Sequence, residues 1–238
     1  MSFSAVVLSA GVGSRMNSDI PKQYLSLCGY PVIYYSLKAF QDSDAKEIVL
    51  VTGKDDVEYC RKEIVEKYAL TKVKKIVPGG KERYDSVNEG LNALDDTEYV
   101  MIHDGARPLL TQEIISDSLE CVKKENACVV GMPVKDTIKI SDDNEYAINT
   151  PDRKYLWMIQ TPQTFSLPLI KSSYEKIYKD IKEGRDVPSI TDDAMVLEYA
   201  TGRNIKITKG DYRNIKITTP EDLEIAGLFI KMTKENND

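Results

Sequence analysis

Phe3-Ser4-Ala5-Val6-Val7-Leu8 runs directly into Ser9-Ala10-Gly11-Val12-Gly13-Ser14-Arg15-Met16, and Pro21-Lys22-Gln23-Tyr24 follows shortly after. The apolar run reads as a buried strand. Behind it, small residues and two glycines let backbone N–H groups close around an anion. Arg15 and Lys22 set two fixed positive charges beside that loop, and Pro21 restricts the approach of the second. Strand, small-residue loop and paired cations describe a nucleoside triphosphate site, and hence chemistry at phosphorus. Taken alone, the loop is as well explained by a glycine turn between strand and helix. A dinucleotide fingerprint would need a third glycine where Met16 stands, and the Walker pattern is absent.

Outward from this stretch, short apolar runs alternate with helical patterns. Strands are expected at Phe3–Leu8, Glu47–Val51, Val73–Val77, Tyr99–His103 and Cys128–Met132. Helical spacing is expected over Val32–Phe40, Asp55–Tyr68, Asp85–Leu94 and Ile114–Lys124. This rhythm predicts an α/β fold whose mostly parallel sheet is flanked by helices, with ligands at the carboxyl ends of its strands. The rhythm breaks after Pro133. Thr137–Ile140 and Tyr146–Asn149, joined by Ser141-Asp142-Asp143-Asn144, read as a projecting hairpin arm at about residues 136–157. Beyond it, Trp157–Gln160 resumes regular structure. Helices are expected at Pro168–Lys179 and Thr191–Ala200, and strands at Ile205–Thr208 and Ile215–Thr218. Thr219-Pro220-Glu221-Asp222 opens the last helix, with Thr219 as N-cap. The whole of 1–238 reads as one domain.

Further motifs converge on the same sheet edge. Pro78-Gly79-Gly80-Lys81-Glu82-Arg83-Tyr84-Asp85-Ser86 is a second glycine-rich strand-to-helix turn, able to approach a flat base and offering the Ser86 hydroxyl. Its simpler reading is a capped turn; two such loops at one edge favour a nucleotide pocket. In Ile102-His103-Asp104-Gly105-Ala106-Arg107-Pro108, Asp104 faces the crevice of Arg15 and Lys22, and Arg107 suits a phosphate. His103 is the only histidine, and a structural role is expected for it. Thr137, Arg153 and Thr161 can donate to phosphate or hydroxyl groups, against a reading as turn residues on an exposed arm. Thr191-Asp192-Asp193-Ala194 reads first as a helix N-cap. Lys216, expected in mid-strand, either faces solvent or adds a third cation to the crevice.

Composition narrows the function. The chain has 238 residues, 42% hydrophobic and 29% charged, and a formal net charge of −6, which argues against a broad nucleic-acid surface. Four cysteines with no metal-ligand spacing, no secretory leader pattern and no membrane-length apolar stretch lead to the expectation of a cytoplasmic protein.

Together AGVGSRM with PKQY, PGGKERYDSV, IHDGARP, PVKDTIK, TPDRKYLW with QTPQTF, TDDA and NIKITTPEDL resemble the 2-C-methyl-D-erythritol 4-phosphate cytidylyltransferases of the non-mevalonate isoprenoid pathway, almost end to end. The resemblance implies a Rossmann-like nucleotidyltransferase fold, a homodimer with interlocking arms and a Mg²⁺-dependent reaction with CTP, the ion carried mainly on the CTP phosphates. By position it implies that Ala10, Gly11 and Gly13 wrap the triphosphate, while Arg15, Lys22 and Lys216 supply catalytic charge. Gly80, Ser86 and Ala106 would line the cytosine and ribose, with Arg83 supporting their loop. Asp104, Arg107, Thr137, Arg153, Thr161 and Thr191 would face the sugar phosphate, Thr137 and Arg153 from the partner's arm. Ser9 stands where alanine is common in the family, and Lys81 where some members have an acid. Three alternatives have different signatures. One is a cytidylyltransferase for another polyol phosphate such as ribitol 5-phosphate, one a non-catalytic nucleotide-binding regulator, and one a NAD-dependent oxidoreductase, which the missing third glycine disfavours.

Overall fold

The computed structural model describes residues 2–11, 16 and 20–235. In chain order the strands are β1 (Phe3–Ser9), β2 (Ser26–Leu27), β3 (Tyr30–Pro31), β4 (Ile48–Thr52), β5 (Val73–Pro78), β6 (Tyr99–Asp104), β7 (Ala127–Pro133), β8 (Ile140–Ser141), β9 (Ala147–Asn149), β10 (Trp157–Ser166) and β11 (Lys206–Lys209). The helices are α1 (Val32–Gln41), α2 (Val57–Tyr59), α3 (Arg83–Ala93), α4 (Gln112–Glu125), α5 (Leu167–Lys182), α6 (Asp193–Thr201) and α7 (Pro220–Glu235).

Seven strands form one sheet in the order β11-β7-β10-β6-β1-β4-β5. β1 pairs in parallel with β4 and β6, β4 with β5, and β7 with β11. The period of two along β1 separates the faces. Phe3, Ala5 and Val7 pack with Ile33, Leu37 and Phe40 of α1 and Ile114 of α4. Val6 packs with Val87 and Leu91 of α3 and, further along the same face, Phe165 and Ile170. The predicted α/β sheet with helices on both faces is therefore the observed one, and β1 and β4 are mostly apolar because both faces are covered.

Four local expectations need correction. The chain beyond Gln160 is not a turn. β10 continues to Ser166 and inserts antiparallel between β6 and β7, with a cis Thr161–Pro162 bond and a register shift between Ile159 and Gln163. Its polar residues looked like loop chemistry, yet Gln160, Thr161, Gln163 and Thr164 are buried. Ile215–Thr218 is not a strand: this extended segment crosses the strand ends, with Ile217 N–H donating to Ala106 O at 2.8 Å. The expected helix Asp55–Tyr68 forms in pieces, a 3-10 turn at Lys54–Asp56, then α2, then wider π-type turns over Cys60–Glu66. Finally, α6 begins at Asp193 rather than at Thr191, and its N-cap is Asp192, whose carboxylate accepts from Met195 N–H at 2.9 Å.

The hairpin after β7 is present, with shorter strands than expected. β8 and β9 pair antiparallel apart from the large sheet. Asp142 Oδ1 closes the turn by accepting from Asn144 and Tyr146 N–H, both at 3.0 Å. The last helix opens at Pro220 as expected, and Asp222 reaches back to accept from Thr218 and Thr219 N–H at 2.8 and 2.9 Å.

Gly90 sets the distance between α3 and the sheet. A Cβ there would overlap Val6 Cγ1 and lie 2.9 Å from Val51 Cγ2, both on stiff side chains of central strands. Alanine would gain about 1 kcal/mol of helix propensity, while overpacking such a contact costs about 1–3 kcal/mol. The Gly90→Ala protein is expected to be less stable than wild type, by a lower urea midpoint at unchanged m-value; equal or higher stability would show that α3 does not need this close approach.

Candidate active site

The sheet directs its chemistry to the carboxyl ends of β1 and β6 and to the loop that follows β5. One cavity there is lined by Ser9, Ala10, Gly11, Lys22, Gly80, Arg83, Ser86, Asp104, Ala106 and Lys216, among others. A second is lined by Arg83, Asp104, Arg107, Thr161, Gln163, Thr191, Asp192 and Lys216, among others. Arg83, Asp104 and Lys216 line both, so they stand where the two cavities meet.

The loop after β5 packs tightly. Gly80 N–H donates to Ser86 Oγ at 3.1 Å, and a Cβ on Gly80 would overlap that of Asp85, so only glycine fits. Glu82 and Asp85 form a reciprocal capping box that starts α3 at Arg83, two residues before the expected Asp85. The turn after Pro21 is tied down as well. Gln23, buried, donates to Ser9 O at 2.7 Å, and the Tyr24 hydroxyl meets Thr52 Oγ1 at 2.8 Å. Lys22 Nζ donates to Ile217 O at 2.9 Å, which joins this turn to the segment carrying Lys216.

Asp104 is the electrostatic centre. Lys216 Nζ lies 2.9 Å from its Oδ2, Arg107 Nε 3.7 Å from Oδ2 and Arg83 Nε 3.8 Å from Oδ1. Burial disfavours its charge, but the three cations outweigh burial and hold the carboxyl well below the usual carboxylate range. Arg107 Nε is buried with no hydrogen-bond partner, while its Nη1 donates to Asn214 O at 2.8 Å. Arg83 is held differently. Burial opposes its charge too, and Asp193 and Asp104 more than compensate. Its two terminal nitrogens form a bidentate pair with Asp193, at 3.0 and 2.8 Å.

The cavities thus gather Ala10, Gly11, Lys22, Gly80, Arg83, Ser86, Asp104, Ala106 and Lys216, and then Arg107, Thr161 and Thr191, as candidate site residues. Gly13 and Arg15 lie outside the described residues. Thr137 and Arg153 line neither cavity; both are exposed on the arm, where Arg153 Nη1 donates to Lys135 O at 2.6 Å. The Thr161 hydroxyl is already engaged, accepting from Asp104 N–H at 3.1 Å and meeting His103 Nδ1 at 2.9 Å. Lys216 reaches the crevice from the crossing segment, not from a strand. Reading the sequence missed Gln23, Gln163, Asp193, Tyr174 and Asn214. Asn214, with no exposed surface, donates to Thr161 O at 2.9 Å. QTPQTF, TDDA and NIK did draw attention as motifs. Their amides and carboxylates are tertiary linkers, however, and local spacing does not reveal their partners.

With this geometry in view, a family model described as 2-C-methyl-D-erythritol 4-phosphate cytidylyltransferase matches residues 3–232. A protein of that name from Lachnospira eligens is 54% identical over 229 residues, 96% of this chain and 99% of its own. Another, from Caldanaerobacter subterraneus subsp. tengcongensis, is 47% identical over 97% of this chain and 100% of its own. A crystal structure of 4-diphosphocytidyl-2C-methyl-D-erythritol synthase from Anaerococcus prevotii superposes with a TM-score of 0.82 at 35% identity, covering 97% of this chain and 96% of that one.

His103, the lone histidine, is buried and bonded on both ring nitrogens. Arg107 O lies 3.2 Å from Nε2 and can only accept, so Nε2 carries the proton and Nδ1 accepts from the Thr161 hydroxyl. Burial pushes its pKa down from 6.5 to about 4, so it is neutral in the folded protein at pH 7. Between those values the unfolded chain binds a proton that the folded chain refuses, so stability falls as pH drops from about 6.5 toward 4. The full shift is worth about 3 kcal/mol. Wild type is expected to lose urea stability between pH 7.5 and pH 5, and His103→Gln to show a much shallower dependence. Parallel pH profiles for the two proteins would contradict this assignment.

Proposed function

The chain belongs to the 2-C-methyl-D-erythritol 4-phosphate cytidylyltransferase family, and on that premise we propose how its own residues carry the reaction. The enzyme converts 2-C-methyl-D-erythritol 4-phosphate and CTP to 4-diphosphocytidyl-2-C-methyl-D-erythritol and pyrophosphate, a step in isoprenoid precursor biosynthesis. A phosphate oxygen of the sugar phosphate bonds to the α-phosphorus of CTP. The bond from that phosphorus to the bridging oxygen breaks, and pyrophosphate leaves with the electron pair. The nucleophile is already an anion at neutral pH, so no strong general base is required. The neutral, fully bonded His103 agrees with that.

The residue assignment rests on one observation: Arg83, Arg107 and Lys216 surround Asp104 where the two cavities meet, with Lys22 lining the first. Such a site can align two repelling anions and stabilise the charge that develops at the α-phosphate. Ala10 and Gly11, with Gly13, hold the triphosphate; Arg15, Lys22 and Lys216 supply catalytic charge. Gly80, Ser86 and Ala106 receive the base and ribose, Arg83 braces their loop, and Asp104, Arg107 and Thr191 face the sugar phosphate, while Thr161, its hydroxyl engaged with Asp104 and His103, lines that cavity and holds Asp104 in place. Arg107 lines the second cavity, which supports a phosphate contact there. Mg²⁺ fits as an ion brought in on the nucleotide, where it screens the triphosphate charge. Among the described residues no three ligating side chains cluster, and Asp104 is already committed to cations.

The arm supports a homodimer. Tyr146, Ile148 and Tyr155 are 72%, 64% and 74% exposed, an apolar surface suited to cover by a second copy. Thr137 and Arg153, exposed on that arm, are then assigned to the partner's sugar-phosphate cavity. No helix among the described residues is long and apolar enough to cross a membrane, and all four cysteines are free; these features support work in the cytoplasm.

Pyrophosphate release from CTP and Mg²⁺ is expected with methylerythritol phosphate and not with ribitol 5-phosphate; turnover with ribitol 5-phosphate alone would overturn the assignment. Lys22→Ala and Lys216→Ala are each expected to lower kcat on the order of a hundredfold or more in folded protein. Near-normal turnover would remove that residue from the catalytic charge. Arg153→Ala should weaken sugar-phosphate binding more than CTP binding. Heterodimers of Arg153→Ala with Lys22→Ala subunits should regain activity, because one of their two shared sites is intact; no recovery would count against sharing.

A further inference from the structure

We propose that Asp193 is a positioning residue of the transfer site, acting through Arg83 to hold that guanidinium at the junction of the two cavities. The inference rests on the functional reading above.

The Asp193 side chain has no exposed surface, and both of its carboxylate oxygens are used. Oδ1 accepts from Arg83 Nη1 at 3.0 Å and from the Tyr174 hydroxyl at 2.7 Å, and Oδ2 accepts from Arg83 Nη2 at 2.8 Å. Its backbone is fixed as well: Gln163 Oε1 accepts from the N–H groups of Asp193 and Ala194, both at 2.9 Å, while Gln163 Nε2 donates to Asp192 Oδ2 at 2.9 Å. Tyr174 of α5 thus holds the carboxylate itself, and Gln163 of β10 holds the backbone that carries it at the start of α6. Its guanidinium partner belongs to α3.

The clamp decides where Arg83 goes. Arg83 faces two anions, Asp193 with a bidentate pair and Asp104 with only Nε at 3.8 Å. Without the charge on Asp193, Asp104 becomes the stronger attractor. A guanidinium that turned onto Asp104 would compete with Lys216, now 2.9 Å from it. Asp193 thus keeps Arg83 from displacing Lys216 at Asp104, although it lines neither cavity itself. The same pair joins the nucleotide loop to the Thr191-Asp192 segment of the second cavity.

The test is a double-mutant cycle with Asp193→Asn, Arg83→Gln and the double variant, measuring kcat and both KM values per folded enzyme alongside urea stability. Each single variant is expected to lower kcat/KM tenfold or more, mainly in kcat, and the double variant to be no worse than Arg83→Gln. Tyr199→Phe serves as the structural control: it removes a bond from α6 to Asp180 of α5, away from Asp193 and Arg83, and should lower stability while kcat stays within threefold. Wild-type kcat in folded Asp193→Asn, or a double variant lower by the product of the single effects, would overturn the proposal. If Asp193→Asn does not fold, Arg83→Gln is compared with the double variant, which leaves no buried charge unpaired. Equal kcat/KM supports the role, and a further tenfold fall overturns it. Wild type assayed in the same series separates the premises. Absence of wild-type turnover would overturn the functional reading, whereas an additive cycle in an active enzyme overturns only the positioning role.

Discussion

Asp104 is the constraint on which the site depends. Lys216, Arg107 and Arg83 come from three separate stretches of chain, and none could be packed so close to the others without an anion between them. A buried carboxylate shared by several cations is a poor source of net stability, because desolvation consumes most of the Coulombic gain. Its value lies in placement. Removing one partner from such a cluster strands the others in a medium that penalises bare charge, which is why arrangements of this kind persist at sites that handle anions.

The sheet makes that cluster possible. Asp104 ends β6, a strand fully packed between β1 and β10, so its backbone has little freedom. Thr161 on β10 secures the same point from the other side, by accepting the Asp104 N–H and engaging His103. His103 in turn donates to Arg107 O. A neutral imidazole suits this position because it has one donor and one acceptor, matching a carbonyl on one side and a hydroxyl on the other. The structural role expected of the lone histidine is that of a fastener between β6, β10 and the loop of Arg107.

The polar residues of β10 extend this logic. Gln160 donates to Asp211 O, Gln163 caps the start of α6, and Asn214 ties the segment before Lys216 to Thr161 O. The antiparallel insertion of this strand brings together residues far apart in sequence: Gln163 with Asp193, and Asn214 with Thr161. The first cavity is built more locally, with the turn from β5 into α3 packed closely at Gly80. The second cavity is lined by residues held through long-range polar links.

That division marks what could be read from the chain by itself. Period-two apolar runs and three- and four-residue apolar spacing reflect local geometry, so β1, β4, β5, β6, β7 and most helices were legible, as were Gly80, Lys22 and Asp104 as candidates. The hairpin was legible from its polar turn. Residue order could not reveal that QTPQTF is a central strand, because burial with partners, not propensity, stabilises its glutamines and threonines there. Nor could it reveal that Lys216 sits on a crossing segment rather than a strand, since a β-rich pattern, Ile215-Lys216-Ile217-Thr218, suits either. The clamp of Asp193 on Arg83 spans 110 residues. Local pattern determined the elements and the anion-handling loops. Only tertiary packing decided which buried polar groups meet, because each is stable there only through a partner that the fold delivers from elsewhere.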